Sequence, residues 1–199
     1  MIDIVRKIIF HVLESLYKPL GATIIITILY MIAYLFVEEV GVKEVFRRCV
    51  CTFKVNSRFR KVSLLVFYTT MILFRTVLYR DIWENPFSDV VGVWGLHNAQ
   101  GELTTEILEN IALFIPFTVI LLWCYQKRIL GQIVGFGKTL WKSTKIVFVF
   151  SLSIECLQLF LRLGTFQLSD LFYNTLGGFV GGLIYWCGYM FVHRKKHKE

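Results

Sequence analysis

The stretch SIECLQLFLRLG, residues 153–164, places Glu155 in the middle of an otherwise apolar run. The run extends back to residue 145 and is therefore long enough to cross the hydrocarbon core of a bilayer. An isolated charge near the bilayer centre costs about 2.5–3.5 kcal/mol on insertion scales. The Glu155 carboxylate must therefore be neutralised by protonation, be paired with a cation or hydrogen-bond donor, or serve in the function of the protein.

The rest of the chain also has the composition of a membrane protein. Of the 199 residues, 56% are hydrophobic, and the mean hydropathy is +0.60, whereas soluble domains are about 45–50% apolar. We therefore predict an all-α, polytopic integral membrane protein with about five transmembrane helices. The predicted spans are residues 19–37, 62–79, 107–125, 145–161 and 171–192.

The first 18 residues differ from these spans. Their apolar residues fall at helical spacing, but Arg6, Lys7, Glu14 and Lys18 interrupt the pattern, and no small-residue cleavage site follows. These features argue against a cleaved signal peptide. We predict a short amphipathic helix that lies at the membrane interface.

The five cysteines form no visible disulfide framework. Cys49 and Cys51 make a C-x-C in a basic segment, but no further ligands accompany them. His97 is a single histidine near acidic residues, which is too little for a metal site. The sequence also lacks phosphate-binding, nucleophile-elbow and zinc-protease motifs. We therefore predict no metal and no cofactor.

Basic residues cluster between the apolar runs. Most of the 22 lysines and arginines lie in residues 38–61, 126–145 and 193–199. Because cytoplasmic segments of membrane proteins carry an excess of these residues, we predict that all three lie in the cytoplasm. The C-terminus is then cytoplasmic and the N-terminus outside, which agrees with an odd number of spans. Topology therefore accounts for the net charge of +8 without nucleic acid as a partner.

Polar residues recur every three to four positions in the fourth and fifth spans, so each set forms one stripe along its helix. Because a short connection joins these spans, we predict that the two helices are antiparallel neighbours. Polar residues of the second and third spans lie at the same, outer depth, and Arg75 is the only cation in the interior of the predicted spans, since Lys145 lies at the boundary of the fourth. The predicted cluster comprises Arg75, Glu106, Asn110, Glu155, Gln158, Arg162, Asp170 and Asn174.

Two interpretations of this cluster stay open at the sequence level. The polar groups could form an ion-pair and hydrogen-bond network that holds the helices together. They could instead line a polar pocket that opens to the outer leaflet or the outside. Asp170 could also act only as the N-cap of the fifth helix.

Small residues and a proline predict where the helices pack or bend. Glycines in the motif GGFVGG allow a neighbouring helix to approach closely, and a proline within a helix perturbs it locally. The predicted packing residues are Pro116, Gly177, Gly178, Gly181 and Gly182.

Two stretches carry a family resemblance. ENIALFIPF (109–117) resembles the Asn-x3-Phe-Ile-Pro-Phe signature of the VanZ-like family, and IECLQLFLRLGTFQLSDLFYNTLGG (154–178) resembles its second signature. The motif NPF (85–87) also resembles the family pattern, and the resemblance covers roughly residues 65–190. Its matching positions are Asn110, Pro116, Glu155, Gln158, Asp170, Asn174 and Gly177.

The chain departs from the family pattern at three positions. Thr118 and Thr165 stand where many members have glycine and arginine, and Ser169 stands where a second acid often precedes the aspartate. A mechanism that needs two adjacent carboxylates at 169–170 is therefore disfavoured here.

The resemblance implies a bacterial plasma-membrane protein that is associated with low-level resistance to teicoplanin, a lipoglycopeptide acting at the outer face. The expected organisation is an interfacial helix at 1–18, a first transmembrane helix and basic loop at 19–61, a VanZ-like four-helix membrane domain at 62–192, and a basic cytoplasmic tail at 193–199.

Three functional hypotheses follow. The first is a non-enzymatic protein, surrounded by membrane lipids, that binds a lipid-linked cell-wall precursor or a lipoglycopeptide, with arginines contacting phosphate and the acids and amides contacting sugar or peptide groups. The second is an intramembrane enzyme acting on lipid headgroups or glycan, with Glu155 as general acid/base and Asp170 as its partner. The third is a transporter or helper subunit, which would need a homo-oligomer or another protein to complete it.

Overall fold

A computed structural model describes residues 17–35, 42–78, 87–95 and 104–196, together with residues 6, 9, 10, 13, 14 and 85. These residues form helices and no strand, which confirms the all-α fold. The amphipathic helix predicted for residues 1–18 lies largely outside the described residues. The helices are α1 (Leu20–Leu35), α2 (Val42–Val55), α3 (Ser57–Leu73, continued by a π-helical turn at Phe74–Leu78), α4 (Glu106–Ile129), α5 (Phe136–Leu161) and α6 (Leu168–Lys196).

Four of the helices are long and apolar enough to cross a membrane. They correspond to the second to fifth predicted spans, and the candidate membrane-crossing segments within them have 22 to 26 residues each. The first predicted span is also an apolar helix, but α1 has 16 residues. That length is about 24 Å at 1.5 Å per residue, which is shorter than a hydrocarbon core of about 30 Å.

The helices extend beyond the predicted spans. The segment 38–61, predicted as a loop, contains α2 and the first turn of α3, and the segment 126–145 contains the end of α4 and the start of α5. Hydropathy marks only the lipid-facing centre of a helix, whereas lysine and arginine side chains at the ends reach into the interface while the backbone stays helical. Asn56 separates α2 from α3, because its side chain accepts hydrogen bonds from the backbone N–H groups of Arg58 and Phe59.

Helix α6 lies between α4 and α5, which contact each other only sparsely. Along α5 and α6 the contacts run in opposite directions. Asn174 meets Ser151, and one turn further along α6 Gly178 meets Val147, one turn earlier in α5. The two helices are therefore antiparallel neighbours, as the short connection predicts.

Helices α4 and α6 are parallel, because their contacts advance together along both helices. Gly177 lies against the backbone of Ile111, and Gly181 lies one turn further along against the backbone of Ile115. Both helices consequently begin at the same end of the bundle. We call this end of the bundle the α4/α6 start.

The perturbation predicted at Pro116 is found elsewhere in α4. The backbone remains helical at Pro116, and the non-helical dihedral angles within α4 occur at Tyr125 (φ −119°, ψ 27°). The proline has no N–H and so removes one hydrogen bond, but the surrounding packing keeps the helix continuous. Phe114, which precedes Pro116, is fully buried with Ile72 and Val147 in the apolar core of the bundle.

Candidate functional site

A cavity of about 330 Å³ opens at the α4/α6 start, above the apolar core. It receives side chains from α4 and α6 at their first turns, from α5 near its end, and from the π-helical turn after α3. Its lining residues are Arg75, Thr76, Thr104, Thr105, Glu106, Glu109, Asn110, Ile154, Glu155, Gln158, Asp170 and Asn174. Every residue of the predicted cluster except Arg162 is among them.

Arg162 lies outside the cavity because α5 ends before it. Its backbone adopts the left-handed conformation (φ 56°), and its side chain is exposed. The prediction placed Arg162 on the stripe of Glu155 and Gln158 by extending the helical spacing by one more turn. The helix ends at Leu161 instead, so the stripe does not reach Arg162.

Glu155 is 1% exposed and is bound by the turn that leads into α6. Its Oε2 accepts a hydrogen bond from the backbone N–H of Gln167 at 3.0 Å. The Gln167 side chain in turn donates to Asp89 at 3.0 Å, and the N–H of Leu168 donates to the carbonyl of Val90. The carboxylate thus ties the turn to α5, and Gln167 and Leu168 tie the same turn to segment 87–95. Sequence reasoning missed this contact because the donor is a backbone group, which no side-chain pattern reveals.

Arg75 forms an ion pair with Glu109 across two helices. The Nη2 of Arg75 lies 2.6 Å from Oε2 of Glu109, and the hydroxyl of Thr105 donates to Oε1 of the same carboxylate at 2.6 Å. Both charged side chains are mostly buried, with 20% and 14% exposure. Glu109 was not a predicted site residue, although its place one turn into the third span next to Asn110 was an available signal.

The π-helical turn sets the position of Arg75 and Thr76. Such turns insert one residue into an α-helix and frequently occur at functional sites. Both residues lie within Phe74–Leu78, and both line the cavity. Thr76 was missed by the sequence analysis because threonine is common within membrane helices and gives no distinct signal.

Asn110 and Asp170 join the parallel helices α4 and α6. The Nδ2 of Asn110 donates to Oδ1 of Asp170 at 2.7 Å, and both side chains are buried. Helix α6 begins at Leu168, so Asp170 lies in its first turn and not at the N-cap position. The positive ends of two helix dipoles meet here, which favours carboxylates in both first turns.

Gln158 and Asn174 each have one bonded and one unbonded polar atom. Gln158 donates from Nε2 to the carbonyl of Thr76, and Asn174 donates from Nδ2 to the hydroxyl of Ser151. The opposite atoms, Oε1 of Gln158 and Oδ1 of Asn174, are buried without a hydrogen-bond partner among the described residues. A buried acceptor without a donor costs about 1–3 kcal/mol. Both residues line the cavity, so these two oxygens favour an occupant that donates hydrogen bonds.

The charges of the cavity point to the same kind of occupant. Its described lining includes four carboxylates but one guanidinium, and that guanidinium is held by Glu109. Carboxylates and amide oxygens accept hydrogen bonds, so the cavity suits ammonium, amide N–H or hydroxyl groups better than phosphate. No group of three or more His, Cys, Asp or Glu side chains in the described ranges could hold a metal ion.

Comparisons with known proteins place these features in a family. A model of the family described as VanZ/LLP1 matches residues 22–192. Protein VanZ of Enterococcus faecium is 26% identical over 116 residues, and the match covers 54% of this chain. It spans 66% of that relative, just under two thirds of the relative's length. No solved structure matches the chain.

Proposed function

This chain belongs to the VanZ/LLP1 family, and we propose that it is a multi-pass protein of the bacterial plasma membrane with a cavity that opens to the outer face. The cavity binds a polar group rich in hydrogen-bond donors, on a lipoglycopeptide or on a lipid-linked cell-wall precursor. Through this binding the protein lowers susceptibility to teicoplanin. The enzyme and transporter hypotheses have no comparable support.

The observation that carries the proposal is the pair of buried, unpartnered amide oxygens on Gln158 and Asn174. Sugar hydroxyl and amide N–H groups would donate to them, and the carboxylates of Glu155 and Asp170 would bind further donors. Binding of phosphate by arginines, part of the first hypothesis, loses support. Arg75 already holds Glu109, and Arg162 lies outside the cavity.

The size of the cavity limits what it can hold. Ligand pockets are commonly about 300–1,000 Å³, and this cavity has about 330 Å³. It therefore suits one sugar ring or one amino-acid residue of a larger molecule, and the remainder of that molecule would stay in the outer leaflet or outside.

Susceptibility measurements test the proposed function. In a sensitive Gram-positive host, wild type should raise the inhibitory concentration of teicoplanin, whereas Glu155→Gln and Asp170→Asn should return it to the level of the empty host. Glu44→Gln makes the same chemical change at a partly exposed carboxylate on α2, outside the cavity, and should protect like wild type. Membrane amounts of all proteins are matched by immunoblot.

Two results would contradict the proposal. Equal protection by all variants would mean that the cavity serves only to hold helices together. If wild type gave no protection, this chain would not confer teicoplanin resistance.

Binding measurements test the cavity directly. Binding of fluorescent teicoplanin and of a lipid-linked precursor to the purified proteins should be saturable. The affinity should fall at least tenfold in Glu155→Gln, because a charge-assisted hydrogen bond is worth about 1.5–3 kcal/mol.

The proposed orientation predicts the accessibility of Cys51. This exposed thiol on α2 should be cytoplasmic, since α2 belongs to the most basic connecting segment. With the other four cysteines replaced by serine, a membrane-impermeant maleimide should label Cys51 only after permeabilisation.

A cysteine introduced on the opposite side provides the matched control. Ser88 is exposed in segment 87–95, next to the α4/α6 start. Ser88→Cys, in a background without other cysteines, should react in intact cells. The proposed orientation would be wrong if Cys51 were labelled in intact cells and Ser88→Cys reacted only after permeabilisation. That result would place the cavity at the cytoplasmic face.

A further inference from the structure

A second cavity, of about 720 Å³, lies between α4 and α5 at the opposite end of the bundle from the first. It exists because α4 and α5 both pack on α6 and contact each other only sparsely, which leaves an open groove on the side away from α6. We call it the α4/α5 groove. Its lining residues are Tyr125, Arg128, Ile129, Lys142, Lys145, Ile146, Val149, Phe150 and Ser153.

The groove changes from cationic to apolar along its length. Arg128, Lys142 and Lys145 lie at its mouth, and all three are exposed. No acidic side chain is among the described lining residues, and within the described parts of the chain none of these three cations forms an ion pair. From Lys142 to Ser153 the groove follows α5 for about 17 Å, and its deeper wall is apolar, with Ile146, Val149 and Phe150.

The position of the groove relative to the bilayer follows from its helices. Both α4 and α5 are long enough to span a membrane, so a groove between them faces lipid. Trp141, which precedes Lys142 in the chain, and Trp123, five residues before Arg128, are exposed. Tryptophans are enriched at the level of the lipid headgroups. The three cations therefore lie where phosphate groups are found, and the apolar wall lies where acyl chains are found.

We propose that the α4/α5 groove binds one anionic glycerophospholipid. The headgroup phosphate contacts Arg128, Lys142 and Lys145, and an acyl chain lies along Ile146, Val149 and Phe150. Charge complementarity selects the headgroup, and basic pockets between membrane helices are known sites for anionic headgroups. A soluble phosphate would use the cations but would leave the apolar wall in contact with lipid or water. This site is independent of the function proposed for the first cavity.

Lipid binding to the purified full-length chain in a non-ionic detergent tests the proposal. Native mass spectrometry compares retention of phosphatidylglycerol with that of phosphatidylcholine carrying the same acyl chains. Wild type should retain phosphatidylglycerol preferentially. The variant Lys142→Gln/Lys145→Gln should bind it about 30-fold more weakly, on the basis of about 1 kcal/mol per basic residue near the surface.

A control removes the same charge elsewhere. Lys54→Gln/Lys138→Gln neutralises two exposed lysines outside the groove and should bind like wild type. Because all four lysines are exposed, both variants should unfold at the temperature of wild type. Three results would overturn the proposal: equal binding by the two double variants, equal retention of the two lipids by wild type, or displacement of phosphatidylglycerol by millimolar inorganic phosphate.

Discussion

Gly181→Leu is expected to prevent accumulation of folded protein in the membrane, whereas Gly188→Leu in the same helix should accumulate like wild type. A Cβ on Gly181 would lie 2.7 Å from the carbonyl oxygen of Ile115 and 2.7 Å from Cβ of Thr118. A backbone carbonyl cannot move aside as a flexible side chain can, so α4 and α6 would have to separate. A Cβ on Gly188 would meet no atom of a neighbouring element within 4 Å, so this position provides the matched control.

The expected effect is large because α4 and α6 share the most extensive helix–helix contact among the described helices. Overpacking commonly costs about 1–3 kcal/mol, and a leucine side chain here meets the backbone of a neighbouring helix. The amount of monodisperse protein extracted from membranes and its thermal unfolding temperature measure the result. Equal yield and stability of the two variants would show that the close approach of α4 to α6 at Gly181 is dispensable.

Arg75→Met should destabilise the protein by about 3 kcal/mol, which is typical when one partner of a buried ion pair is removed. Glu109 would keep the hydrogen bond from Thr105 but would lose the guanidinium that neutralises it. The double variant Arg75→Met/Glu109→Leu should recover most of this loss, because no unpaired charge remains. Thermal or denaturant unfolding in detergent measures the four proteins of this double-mutant cycle.

The exposed pair of Arg47 and Glu44 on α2 is the control for this cycle. Its side chains are 79% and 36% exposed, and exposed ion pairs contribute about 0–1 kcal/mol. Arg47→Met should therefore change stability little. A strictly additive result for Arg75 and Glu109 would indicate that the two side chains do not interact and would refute the ion pair.

The two predictions separate helix packing from charge pairing. Gly181 acts through the distance between α4 and α6, and Arg75 acts through one ion pair between the π-helical turn and α4. Neither residue carries the unpartnered acceptors that support ligand binding. Loss of teicoplanin protection in these variants at reduced abundance would therefore say nothing against the proposed site, whereas loss in Glu155→Gln at normal abundance would support it.

Local features of the sequence determined the fold class and much of the first cavity. Hydropathy located the apolar helices, because the cost of placing polar groups in lipid acts on each segment separately. Helical periodicity placed Glu155 with Gln158 and Asp170 with Asn174, because residues three and four apart share a helix face wherever that helix packs. The short connection after the fourth span implied that these faces meet.

Only the tertiary structure decided which group each polar side chain contacts. The π-helical turn and the offset between α3 and α4 bring Arg75 to Glu109, the end of α5 at Leu161 removes Arg162 from the cavity, and the turn before α6 supplies a backbone N–H to Glu155. These contacts depend on where helices stop and how they rotate against each other. Such relations join residues distant in the chain, and local periodicity does not encode them.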